Sequence, residues 1–101
     1  MKTFAERLRE DRRLVMLRVL SEQPAYRLNS SNLHAGLQHL SIVATRDDVA
    51  TDLHWLKEQG LVHLEIVPEV PALYLVTLTS RGGDVAAGHA RVPGVAAPSP
   101  R

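Results

Sequence analysis

The spacing of apolar residues changes midway along the chain, dividing it into a helical first half and a mixed second half. In "FAERLREDRRLVMLRVLSEQP", Phe4, Leu8, Val15 and Val19 fall close to one face of a helix, and Leu14, Leu17 and Leu20 widen the stripe. Glu6, Arg9, Glu10 and Arg13 offer opposite-charge pairs three and four residues apart on the outer face. Pro24 stops the helix, because it cannot donate to the ladder and disfavours the α region in the residue before it. The N-terminal half is mostly charged and the C-terminal half mostly apolar, which predicts burial of the latter. "YRL" at 26–28 reads as a short extended piece. Asn29, Ser30 and Ser31 can each cap the next helix, in which Leu33, Leu37 and Leu40 recur at i, i+4 and i+7. "SIVA" at 41–44 is the turn that follows.

A third helix is predicted over "TRDDVATDLHWLKEQGLV", with Val49, Leu53 and Leu56 inward. Thr45 and Asp48 form a variant of the capping box, and Asp47 suits the positive helix end. Asp52 is expected to face water, Trp55 to sit at the core edge, and Gly60 to supply the left-handed position after the helix. The period then shortens. "LVHLEIV" (61–67) and "LYLVTL" (73–78) are rich in β-branched residues, and the proline-stiffened "PEVPA" between them makes a hairpin. "TSRGGDVAAGHA" adds one short helix after Thr79 or Ser80. "RVPGVAAPSPR" at 91–101 is rich in Pro, Gly and Ala, so a flexible or loosely docked tail is expected after a domain over 1–90.

The order is helix, short strand, helix, helix, strand, strand, helix, which is the connectivity of a winged helix-turn-helix. Three pieces carry the resemblance: "SSNLHAGLQHLSIVATRDDVATDLHWLKEQGLV", "LVHLEIVPEVPALYLVTL" and "LTSRGGDVAAG". Together they resemble bacterial regulators of the MarR, PadR and ArsR kinds. The size and the ending "LTSRGGDVAAGHARVPGV" are similar to a small winged-helix-like protein of Mu-like phages and prophages. The resemblance implies an α+β, mainly α fold. A three-helix core carries a recognition-type helix at about 45–60, a β-hairpin wing at about 61–78 and a short C-terminal helix. It also implies a DNA-binding transcriptional regulator of phage or prophage origin, working as a homodimer on double-stranded DNA.

In that arrangement the third helix enters the major groove with its N-terminal half on base edges. Arg46 is the candidate for a bidentate guanine contact and Thr51 for a phosphate or thymine methyl, with Thr45 and Lys57 beside them. Asp48 and Asp52 would oppose the phosphates and act as brakes on binding. Arg27 and the helix start at Ser30 and Ser31 could add phosphate contacts, as could Arg81 beyond the second hairpin strand. Phe4 and Leu8 extend the apolar stripe of the first helix past its own core, which points to a second copy of the chain.

Composition changes this picture in one respect. The chain has 101 residues, 45% of them hydrophobic and 23% charged, with a net charge of +1. Net charge therefore argues neither for nor against a polyanionic partner, and only its distribution can help. Lys2, Arg7, Arg9, Arg12, Arg13, Arg18 and Arg27 concentrate positive charge in the first quarter, interspersed with acids. The third helix carries Asp47, Asp48, Asp52 and Glu58 against Arg46 and Lys57, and the only charge at the hairpin tip is Glu69. These features favour an alternative, a winged helix used as a protein-interaction module without nucleic acid. There is no Cys, so no disulfide or thiolate metal site is expected. The five His have no metal-ligand spacing, "RGGD" lacks the lysine of a phosphate loop, and no nucleophile–base pair is legible. No enzyme, no metal and no cofactor are expected. No apolar run reaches the roughly 18–20 residues of a membrane span, and "MKTFAERLREDRR" lacks the apolar core of a signal peptide. A cytoplasmic protein is expected.

Overall fold

A computed structural model describes residues 1–99. Among them are four α-helices and one three-stranded antiparallel sheet, an α+β architecture that is mainly helical. The helices are α1 (Phe4–Ser21), α2 (Ser30–His39), α3 (Arg46–Glu58) and α4 (Ser80–Ala87). The strands are β1 (Arg27–Asn29), β2 (Val62–Ile66) and β3 (Tyr74–Leu78), in the order β1-β3-β2. One 3₁₀ turn, Pro24–Tyr26, leads from α1 into β1. The elements follow the expected order.

Each helix begins on a side-chain oxygen that takes an otherwise orphaned backbone N–H. Thr3 and Glu6 form a reciprocal capping box at α1, Asn29 accepts from the Asn32 N–H at α2, and Thr79 accepts from Gly82 at α4. At α3 the Thr45 hydroxyl accepts from the Asp48 N–H at 3.0 Å, and the Asp48 carboxylate accepts from the Thr45 N–H at 2.9 Å. This second bond is the main reason why Asp48 has a lowered pKa. The Thr45 hydroxyl, Arg12 and Arg9 act in the same direction. A lowered folded pKa stabilises the protein most above the ordinary aspartate value of 3.8, and the gain is lost as pH falls through the folded value. Thr45→Ala is therefore expected to cost about 1 kcal/mol near neutral pH. Asp48→Asn should flatten the acid limb of a stability–pH curve measured by chemical denaturation.

The core is one cluster. Leu14, Met16, Leu17 and Leu20 of α1 meet Leu33 and Leu37 of α2, Val49, Leu53 and Leu56 of α3, and Val76 and Leu78 of β3. The buried face of α1 thus runs through Arg13, Leu14, Met16, Leu17 and Leu20, not through Phe4, Leu8, Val15 and Val19 as their spacing predicts. Val15 and Val19 are half-buried, while Phe4 and Leu8 are 74% and 50% exposed. Leu40 also leaves its expected place: α2 ends at His39, and Leu40 at the C-cap is exposed. The (i, i+4) ion pairs expected along α1 are absent among the described residues, because Glu10 pairs with Lys2 and Arg13 turns inward to α3.

The expected tail from Arg91 takes another course as far as residue 99, and its last two residues lie outside the described ones. Val92 and Val95 are buried in the common core, and the Ala96 N–H donates to the Glu10 carbonyl. Gly94, at φ +100°, lies so close to Trp55 that an added Cβ would come within 2.6 Å of the indole. Glycine there lets the chain cross the ring at close range. Two valines three residues apart supply enough apolar area to hold a Pro/Gly-rich segment down.

Candidate nucleic-acid interface

The starts of α2 and α3 and the tip of the β2–β3 hairpin surround one groove of about 530 Å³. Its walls include Ser31 and His34 from α2, Arg46 and Ala50 from α3, and Val70 and Tyr74 from the hairpin. Three cross-links hold these elements in place. The Tyr74 N–H donates to the Ser30 hydroxyl at 3.1 Å, pinning β3 to the first residue of α2. His34 donates from Nε2 to the Ala44 carbonyl at 2.7 Å, fixing the turn that leads into α3. His54 meets the Tyr74 hydroxyl at 3.2 Å through Nε2, with the two rings edge to face at 5.3 Å. His54 is exposed and joins α3 to β3.

Of the residues singled out from sequence, Ser30, Ser31 and Arg46 line this groove. Thr45 precedes Arg46 and is exposed, though its hydroxyl already serves the α3 cap. Ser30 is nine-tenths buried with its hydroxyl oxygen engaged by Tyr74, so Ser31 is the more accessible of the pair. Thr51 is exposed on α3 a little over one turn beyond Arg46. Lys57 is exposed in the last turn, about 16 Å along the axis at 1.5 Å per residue. Arg27 is exposed on β1, aligned with Thr77 of β3, which in turn aligns with His63 of β2. Arg81 is not brought to the groove. Its Nε donates to the Gln59 carbonyl at 3.1 Å and so caps the far end of α3.

The acidity of α3 is redistributed by the fold. Asp52 does not face water: it is 1% exposed and receives Arg12 Nε at 2.6 Å and Arg13 Nε at 3.1 Å. Arg13 also donates from Nη1 to the Gly94 carbonyl at 3.1 Å and stacks over Trp55 at 4.0 Å from the ring centroid. One carboxylate thereby ties α1, α3 and the C-terminal segment together, and two guanidiniums cover its charge. Asp48 is occupied by the cap. The outward face of α3 is left with Arg46 and Lys57 against Asp47 and Glu58, an even balance. Asp48 and Asp52 were the acids for which repulsion of phosphates was expected, and burial removes Asp52 from that role.

Sequence inspection missed the Arg12–Asp52–Arg13 cluster, although a signal for it exists. Val49, Asp52, Leu53 and Leu56 form an i, i+3, i+4, i+7 set, and Arg13 occupies the matching inward stripe of α1. Two opposite charges at inward positions of neighbouring helices are the signature of a buried pair.

Among the described residues, no group of three or more His, Asp or Glu side chains could hold a metal ion. No described helix is long and apolar enough to cross a membrane. The chain is 47% identical over 94 residues to the uncharacterized protein gp26 of Escherichia phage Mu, covering 93% of this chain and 94% of that one. It is 46% identical over 63 residues to an uncharacterized protein of Haemophilus influenzae, covering 62% of this chain and 61% of that one. No family model matches the chain, and no solved structure does.

Proposed function

Since the chain belongs to the family of the phage Mu protein gp26, we propose that it is a winged-helix DNA-binding regulator of phage or prophage origin. It acts in the cytoplasm of the bacterial host and carries no catalytic activity. The observation that carries this reading is the convergence of the α2 start, the α3 start and the hairpin tip on one groove, with Asp52 withdrawn beneath Arg12 and Arg13. In a winged helix these three elements meet the duplex together. Arg46 and Thr51 present donors to base edges along the N-terminal half of α3, and the backbone N–H groups at the start of α2 beside Ser31 face a phosphate. The charge balance of the exposed α3 face allows only modest phosphate neutralisation, so binding is weak, is best at low salt and has a shallow salt dependence.

The test is a fluorescence-anisotropy titration with labelled duplex from the region beside the gene, and with unrelated duplex, across a salt series. Arg46→Ala is expected to lose about 1–3 kcal/mol of sequence preference. Lys57→Ala should weaken binding to all sequences alike. No binding to either duplex at low salt would end the DNA reading.

One observation favours a second reading, a protein-interaction module. Ile66 and Val70 of the hairpin are 75% and 46% exposed, and Glu65 and Glu69 are the charges near them. An apolar, acidic tip suits a protein surface better than a DNA minor groove. This reading predicts that duplex DNA fails to bind at any salt concentration.

A further inference from the structure

We propose that the N-terminal half of α1 is a self-association surface, on which two copies of the chain pair antiparallel through Phe4 and Leu8. The inference is independent of whether the groove binds DNA. Residues 1–9 are all exposed, so the first turns of α1 stand clear of the body, and the molecule measures 42 × 26 × 25 Å. An isolated helix this short has little stability of its own in water, which gives a partner helix something to stabilise.

At about 100° per residue, Phe4, Leu8 and Val15 fall within a narrow sector of α1, with Val19 next to it. That sector lies opposite the buried face through Arg13, Leu17 and Leu20. The body half-buries Val15 and Val19, and Val19 lies against α2, where an added Cβ at Gly36 would stand 3.7 Å from its Cγ1. Phe4 and Leu8 are thus the uncovered end of this helix sector, separated by the charged Asp11 from the half-buried Val15 and Val19. The C-terminal segment meets α1 by the Ala96–Glu10 bond and, at Ala96 and Ala97, borders the flank that carries Arg7 and Asp11, leaving Phe4 and Leu8 uncovered.

The charges beside this uncovered stretch identify the partner. Arg7 and Asp11 lie on one flank of the Phe4–Leu8 stripe, four residues apart and exposed. Among the described residues neither has an ion-pair partner, the pairs present being Lys2–Glu10, Arg12–Asp52 and Arg13–Asp52. In a two-fold antiparallel pairing centred near Leu8, Arg7 of each copy faces Asp11 of the other, giving two equivalent salt bridges around an apolar centre. A parallel two-fold pairing would turn this flank towards the partner's opposite flank and leave Arg7 and Asp11 without each other. Opposite charges placed symmetrically about an apolar pair are what an isologous contact between identical chains requires. Two turns of helix bury far less than the roughly 800 Å² per partner of a standard interface. The dimer is therefore weak and concentration-dependent.

Sedimentation equilibrium of the full chain over a concentration series reaching the millimolar range tests this. The apparent mass should rise from 11.2 kDa towards twice that value. Phe4→Ser with Leu8→Ser should keep the thermal transition and stay monomeric at every concentration. Arg7→Asp alone and Asp11→Arg alone should each weaken association at least about threefold, and the two combined should restore it. A wild type that stays monomeric throughout overturns the proposal. So does a dimer that survives the Phe4 and Leu8 replacements, or a charge exchange that fails to restore association.

Discussion

Asp52→Ala is expected to destabilise the fold by about 3–5 kcal/mol, the usual consequence of removing one member of a buried ion cluster. The loss comes from what remains. The side chains of Arg12 and Arg13 are only 14% and 10% exposed, so two guanidiniums would be left in a poorly solvated place without their counter-ion. Arg13 would retain the Gly94 carbonyl and the Trp55 ring, which do not neutralise it. A domain of this size has about 5–15 kcal/mol in total, so the variant should sit near the edge of folding. Urea denaturation followed by circular dichroism and by Trp55 fluorescence gives the measurement. Replacing Asp52, Arg12 and Arg13 together by apolar residues of similar volume should recover much of the loss, because no stranded charge then remains. An Asp52→Ala midpoint equal to wild type would show that the cluster adds nothing and that its charges reach water.

Leu53→Ala is the second large effect, expected at about 2–5 kcal/mol. Leu53 has no exposed surface and belongs to the cluster in which α1, α2, α3 and the sheet meet. The neighbouring elements are held by the Ser30–Tyr74 and His34–Ala44 bonds, so the site cannot collapse freely around the lost methyl groups. Most of the cavity should persist. The lowered midpoint should come with an unchanged denaturant slope, since the same surface is exposed on unfolding. A barely altered thermal transition would mean that α3 is packed differently from this structure.

These two residues are neighbours on one helix, and they show how far the sequence could be read. Leu53 was legible because an apolar residue in register with Val49 and Leu56 has one sensible direction. Asp52 was misread for the same reason, since a charged residue is assigned to solvent by default. Only the position of α1, which brings two arginines against it, made the inward direction favourable. The candidate interface was legible in part. Ser30, Ser31 and Arg46 belong to one groove, as an interface through the starts of α2 and α3 requires. Arg81, which sequence could place only as a positive charge after β3, spends its guanidinium on the α3 C-terminus.

By itself the sequence determined the elements and their order, with limits within a residue or two, because these depend on neighbours within a few residues. The Thr45 cap, the Pro24 stop and the shift from helical to extended spacing after Gly60 are local facts of stereochemistry. Tertiary structure alone decided which side of α1 is buried, where Asp52 points and whether residues 91–99 are held. Those outcomes depend on residues far apart in the chain: Arg13 with Asp52, Gly94 with Trp55, Ala96 with Glu10. Periodicity shows that a helix has an apolar side, but when apolar residues occupy most of its circumference it does not show which part meets the core. That is settled by what the other elements bring to it, here α4 and the leucines of α2 above all, with Val92 and Val95 of the C-terminal segment in the same core.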